Sequence, residues 1–248
     1  MDQTRTAVFT GGIAAALLAV FLMLGSGQAF AAGSDFGDAQ GMTPGKTYSG
    51  YLKSMEGPQY YFFKTLGKKG VTYRIKASNS NTDALWGQLA LTVTVWDKAN
   101  SRQVKRFSVV AHSSDSVALK GLKPQKKYYV IVQSEGGTLN YYNENYTVRC
   151  TYKVIKPAKA KISTLKASSG KVKVTYGKVR YADRYQVAYK KKGASAWKIA
   201  NNGTKRSKTI KSLKKGKKYT VKVRAQRTVS GKTYSGAWSA AKRITVKY

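Results

Sequence analysis

Apolar and polar residues alternate along most of this chain with a period of two. Val71-Thr-Tyr73-Arg-Ile75 and Leu91-Thr-Val93-Thr-Val95 put every second side chain on an apolar face, the pattern of a half-buried β-strand. Runs of this kind, separated by turn formers, predict strands at 46–52, 60–65, 71–77, 89–96, 103–110, 116–122, 128–134 and 146–154. No convincing helical period appears in this region, so an all-β, antiparallel, jelly-roll-like sandwich of about eight strands is expected over 32–155. Within Tyr146-Thr-Val148-Arg-Cys150-Thr-Tyr152 the single cysteine falls in the apolar phase, as a small core residue.

A second set of alternating runs follows Pro157. The short stretch 156–160 reads as a linker, and seven strands can be traced over 161–248. Lys171-Val-Lys-Val174-Thr-Tyr176, Tyr185-Gln-Val187-Ala-Tyr189 and Trp197-Lys-Ile199 have the order and spacing of strands B, C and the following edge strand of a fibronectin type III domain. Leu213-Lys-Lys-Gly216-Lys-Lys-Tyr219-Thr-Val221-Lys-Val223-Arg-Ala225 matches that family's corner between strands E and F, and Gly236-Ala-Trp238-Ser239 its Gly-x-Trp-Ser element. The region therefore resembles a bacterial fibronectin type III domain over its full length, with Tyr176 where the family usually has tryptophan. The resemblance implies that Leu213 closes strand E in the core. It also implies that the Tyr219 hydroxyl bonds backbone within the corner while Gly216 permits the turn. No Arg-Gly-Asp tripeptide occurs, so integrin binding is not supported.

The first module has its own resemblance. Tyr48-Ser-Gly50-Tyr-Leu52, Tyr60-Tyr-Phe-Phe63 and Leu122-Lys-Pro-Gln-Lys-Lys-Tyr128 are similar to the bacterial pre-peptidase C-terminal type of β-sandwich. Members of that family accompany secreted catalytic domains, and none is legible here, so the resemblance implies an accessory or binding role. Ahead of it, Arg5, the apolar stretch 13–24 and Ala29-Phe30-Ala31 have the layout of a signal peptide over 1–31, with cleavage after Ala31. An uncleaved anchor is the alternative. With no cysteine at the cleavage site and no hydrophobic tail, a secreted protein attached non-covalently, if at all, to the cell surface is expected.

Charge then separates the two modules. The formal net charge is +36. Residues 156–248 hold 28 basic side chains and one acid, Asp183, whereas 32–155 hold 17 basic and 8 acidic. Such a field attracts polyanions: wall polymers, anionic glycans, nucleic acid or an anionic membrane. The outward phases place Lys190 on strand C, and Lys222 and Arg224 on strand F. Lys191 and Lys192 follow strand C, and Lys214, Lys215, Lys217 and Lys218 sit at the corner. If the strand ends lie at opposite poles, the corner lysines form a separate cluster. The alternative is a solvated, merely solubilising surface.

Catalytic chemistry has little to draw on. His112-Ser-Ser-Asp115-Ser116 brings together a triad's residue types, but neighbouring loop residues seldom give triad geometry, and turn bonding by Ser113, Ser114 and Asp115 is the expectation. No spacing suggests zinc, calcium or a phosphate loop, so no metal, cofactor or small-molecule substrate is implied. The leading expectation is a secreted, non-enzymatic adhesion or scaffold protein whose partner is an anionic cell-wall or matrix polymer, with another surface protein as a further partner. A binder of neutral glycans is second, with Trp86 for sugar stacking, or alternatively plugging the end of the sandwich. An extracellular nucleic-acid binder is third, because the outward phase of strand F has no aromatics among its cations.

Overall fold

The structure, a computed structural model, describes residues 33–52, 57–80, 90–135 and 144–248. The leader expected at 1–31 and Trp86 lie outside the described residues. In the first module the strands are β1 (Gln40–Gly41), β2 (Thr47–Leu52), β3 (Gln59–Lys64), β4 (Val71–Asn79), β5 (Ala90–Asp97), β6 (Arg102–Val110), β7 (Ser113–Leu119), β8 (Lys127–Ser134) and β9 (Glu144–Val154). One sheet runs β2-β9-β4-β7 and the other β1-β3-β8-β5-β6. Strands β2 to β9 thus interleave as in a jelly roll, while β1 adds a parallel pairing through Gln40↔Tyr61 that two residues are too short to announce by alternation. Strand β7 begins earlier than expected. Ser113, Ser114 and Asp115 are strand residues rather than loop, because the hairpin turns tightly at Ala111-His112, with φ of 55° at His112.

Both inner faces are rich in aromatics. Tyr61, Phe63, Tyr73, Tyr128 and Tyr146 are all buried, and Cys150 lies among them at 0% exposure. The hydroxyls of Tyr61 and Tyr146 bond each other at 2.9 Å, which satisfies two polar atoms in the core. A Cβ on Gly50 would overlap the Tyr146 ring, so strand β2 needs glycine there.

Three loops share one construction. Met42-Thr-Pro-Gly45-Lys-Thr-Tyr48, Leu122-Lys-Pro-Gln125-Lys-Lys-Tyr128 and Leu213-Lys-Lys-Gly216-Lys-Lys-Tyr219 each set an apolar residue six positions before a tyrosine. Each turns through a left-handed residue, with φ of 99° at Gly45, 57° at Gln125 and 68° at Gly216. In each, a backbone N–H five residues upstream donates to the tyrosine hydroxyl: Thr43 to Tyr48 at 2.7 Å, Lys123 to Tyr128 at 2.9 Å, and Lys214 to Tyr219 at 3.1 Å. The ring fills the end of a core and its hydroxyl ties down the loop that delivered it.

The second module comprises β10 (Ile162–Ser168), β11 (Lys171–Tyr176), β12 (Arg184–Lys191), β13 (Lys198–Asn201), β14 (Ser207–Ile210), β15 (Lys218–Val229), β16 (Lys232–Ser235) and β17 (Lys242–Thr245). A three-stranded sheet β10-β11-β14 faces a second sheet β13-β12-β15, to which β16 and β17 are both added beside β15. This is a fibronectin type III-like sandwich in which the last strand is split around Gly236-Ala-Trp238-Ser239. Leu213, expected to close strand E, lies three residues past its end at Ile210, in the corner turn, and is still buried there. Tyr176 is also buried. Its hydroxyl donates to the Lys205 carbonyl at 3.1 Å and accepts from Asn202 Nδ2 at 2.6 Å.

The modules are joined by polar contacts of an unusual kind. Along β15 the inward phase runs Val221, Val223, Ala225 and then Arg227, which is 2% exposed. There the inward phase faces the first module. Arg227 Nη2 donates to the Lys69 carbonyl at 2.7 Å, and Nη1 donates to those of Ile155 and Gly70 at 3.1 and 3.2 Å. Its guanidinium lies 5.2 Å from the Tyr181 ring centroid. That ring packs on Gly70, where a Cβ would sit 2.8 Å from it. Asp183 completes the joint, pairing with Lys68 Nζ at 2.6 Å and accepting from Thr228 N–H at 2.7 Å. Pro157 and Ala160 of the linker are buried, and a Cβ on Gly236 would overlap the Pro157 carbonyl.

Candidate polyanion-binding surface

Strands β12 and β15 are antiparallel neighbours, which places the end of one beside the start of the other. The register pairs Lys190 with Thr220 and Lys191 with Tyr219, and Lys192 N–H donates to the Lys218 carbonyl at 2.9 Å. The lysines after strand C and those of the corner therefore share one pole, contrary to the expectation of opposite ends. Lys190, Lys191, Lys192 and Lys218 line an open concavity of about 280 Å³. Arg243 joins them because β17 pairs with the same stretch of β15, setting Arg243 opposite Thr220. Lys217 lines an adjoining hollow with Lys191, Lys192 and Lys218, and Lys214 lines another with Lys190 and Lys191. Lys215 lines none of these three.

From this pole a row of alternating cations and rings runs across the sheet. Trp197, just ahead of β13, has Lys190 Nζ at 5.2 Å and Lys222 Nζ at 4.0 Å from its centroid. Trp238 has Lys222 Nζ at 4.9 Å and the Arg224 guanidinium at 4.5 Å. Arg224 Nε donates to Gln186 Oε1 at 2.8 Å, and Gln186 Nε2 donates to Asn201 Oδ1 at 2.8 Å. Ala188, on this same outer face, is fully buried between its register partners Ile199 and Lys222. Each cation–ring contact is worth about 0.5–1 kcal/mol at an exposed site.

Strand phase alone did not reveal Trp197, Trp238 or Arg243 as members of this surface. The aromatics missing from the outward phase of strand F come from non-strand segments, Trp197 just ahead of β13 and Trp238 between β16 and β17. No described carboxylate pairs with any of these cations, and the module's one acid, Asp183, is engaged at the joint. Desolvation raises the Asp183 pKa, but the Lys68 ammonium, the Thr228 N–H and the Arg227 guanidinium outweigh it and hold the carboxyl below its ordinary range. The field of the surface is thus left uncancelled. At His112–Ser116, where local turn bonding was expected, Ser113 Oγ donates to the Val110 carbonyl and Asp115 accepts from Ser116 N–H, both bonds of the β6–β7 hairpin.

No family model and no curated protein sequence matches this chain. Among solved structures, a myokine is similar at 15% identity and a TM-score of 0.30, covering 38% of this chain and 97% of its own. The chicken CNTN1 FN1-FN3 domains are similar at 15% identity and a TM-score of 0.36; the match covers 64% of this chain and about half, 56%, of theirs.

Proposed function

We propose that this chain is a secreted, non-catalytic adhesion or scaffold protein that holds an anionic wall or matrix polymer on the basic face of its second module. One observation carries this: Lys190, Lys191, Lys192, Lys217, Lys218 and Arg243 converge at one pole, continuous with Lys222 and Arg224, and no described carboxylate pairs with them. Clustering of like charge costs stability unless a polyanion relieves it. The signal-peptide layout and the resemblance to bacterial fibronectin type III and pre-peptidase-type modules support an extracellular accessory role.

The test is positional. Binding of the mature chain to teichoic acid and heparin is measured at about 50 and 200 mM salt, where counterion release makes charge-driven affinity fall steeply. Reversing Lys191, Lys192 and Lys218 to Glu should weaken binding at least about tenfold more than reversing Lys161, Lys166 and Lys173, given about 1.5 kcal/mol or more per lost charged contact. The control lysines belong to the opposite sheet or its margin, and the change in net charge is the same. Equal losses from the two triples would leave a diffuse field and no site.

A further inference from the structure

The row Lys190, Trp197, Lys222, Trp238 and Arg224 supports a sharper statement, which rests on the polyanion reading above. A carboxylate that fixed these cations would also cancel them. An aromatic ring attracts a cation through its quadrupole and leaves the full charge in place. Trp197 and Trp238 therefore immobilise Lys222 between two rings, and Lys190 and Arg224 at its flanks, without lowering the charge they present. A long basic side chain loses much rotamer entropy when it is fixed, and here that loss is taken on folding rather than on binding. Both rings are half-buried and have cations over them, so they are not free platforms for bases or sugar rings.

We propose that Trp197 and Trp238 are positioning residues that hold Lys190, Lys222 and Arg224 in a fixed row, so that this face reads the charge of a phosphodiester chain and not its bases or sugars.

Two labelled oligomers of equal length test this with the mature chain: oligothymidylate and its abasic deoxyribose-phosphate counterpart. The expected result is binding of both with affinities within about threefold. Stacking of even one base would favour thymidylate by at least about fivefold. Replacing Trp197 and Trp238 together by Leu should weaken binding of the abasic oligomer several-fold with little change in melting temperature, and replacement of both by Phe should restore it. Binding of both oligomers with thymidylate favoured more than fivefold would overturn the inference and leave the polyanion reading standing. Unchanged binding in the Leu variant would do the same. Failure of the abasic oligomer alone would also overturn only this inference, as would failure of both oligomers while teichoic acid or heparin binds; failure of all four would remove the polyanion reading as well.

Discussion

The guanidinium of Arg227 lies 3.2 Å from the carbonyl oxygen of Gly70, across the boundary between the two modules. Gly70 is held from three sides, because its carbonyl also accepts the Ile155 N–H at 3.0 Å and the Tyr181 ring occupies the space above its Cα. Each module has its own apolar core, over 42–150 and 160–246, yet this joint ties backbone of one to a buried side chain of the other.

Arg227→Ala should therefore destabilise the whole chain, by about 2–3 kcal/mol for loss of a buried, charged donor set. Denaturant unfolding followed by fluorescence should show it, with the transitions of the two modules moving apart. Arg227→Lys should not rescue, since one ammonium lacks the fork that reaches three carbonyls. Coincident transitions at the wild-type midpoint in the Ala variant would mean that the joint contributes nothing.

The ion pair at the joint gives a pH dependence. Asp183 has a depressed folded-state pKa, so its contribution is present above the unfolded value of about 3.9 and is lost as pH falls through the lower folded value. Asp183→Asn should lower the melting temperature at neutral pH, and the gap to the parent should close below about pH 4. A constant gap from pH 7 to pH 3 would show that the charge on Asp183 does not stabilise the joint.

The three tyrosine corners can be compared within one molecule. Replacing Tyr48, Tyr128 or Tyr219 by Phe keeps the ring and removes the acceptor for a backbone N–H, costing about 1 kcal/mol each. Because Tyr219 belongs to the other core, its loss should add to that of Tyr48 or Tyr128. An unchanged unfolding midpoint for Tyr219→Phe would count against the corner.

Cys150 offers a chemical probe of the first core. Burial pushes its thiol up to about 12, so little of the reactive thiolate forms in the folded protein at pH 8. Thiol reagents should label it only at the rate of unfolding, and the rate should rise in step with denaturant-induced opening. Rapid labelling of the native protein would show that strand β9 opens locally.

The period-two alternation was enough to locate β4, β5 and β11 closely, because which face a strand residue occupies is a local property of the pleat. The Tyr219 corner was legible through the resemblance to the fibronectin type III corner, because its apolar residue, glycine and tyrosine are spaced within one loop. Alternation does not say which strands are neighbours or in what register. Only the folded sheet put the end of β12 beside the start of β15, merging lysines separated by some 25 positions into one pole. It also laid Trp197 and Trp238 against Lys222, although neither ring lies on Lys222's own strand. Arg227 shows the same limit from the other side. The alternation of β15 puts it inward beyond Ala225, and the carbonyls that its Nη atoms bond come from residues more than 70 positions away. Local pattern thus determined the strands and their faces. The pairing of distant strands decided the basic row and the joint, because hydrogen-bond partners and cation–ring distances are set by register between segments that the chain order keeps apart.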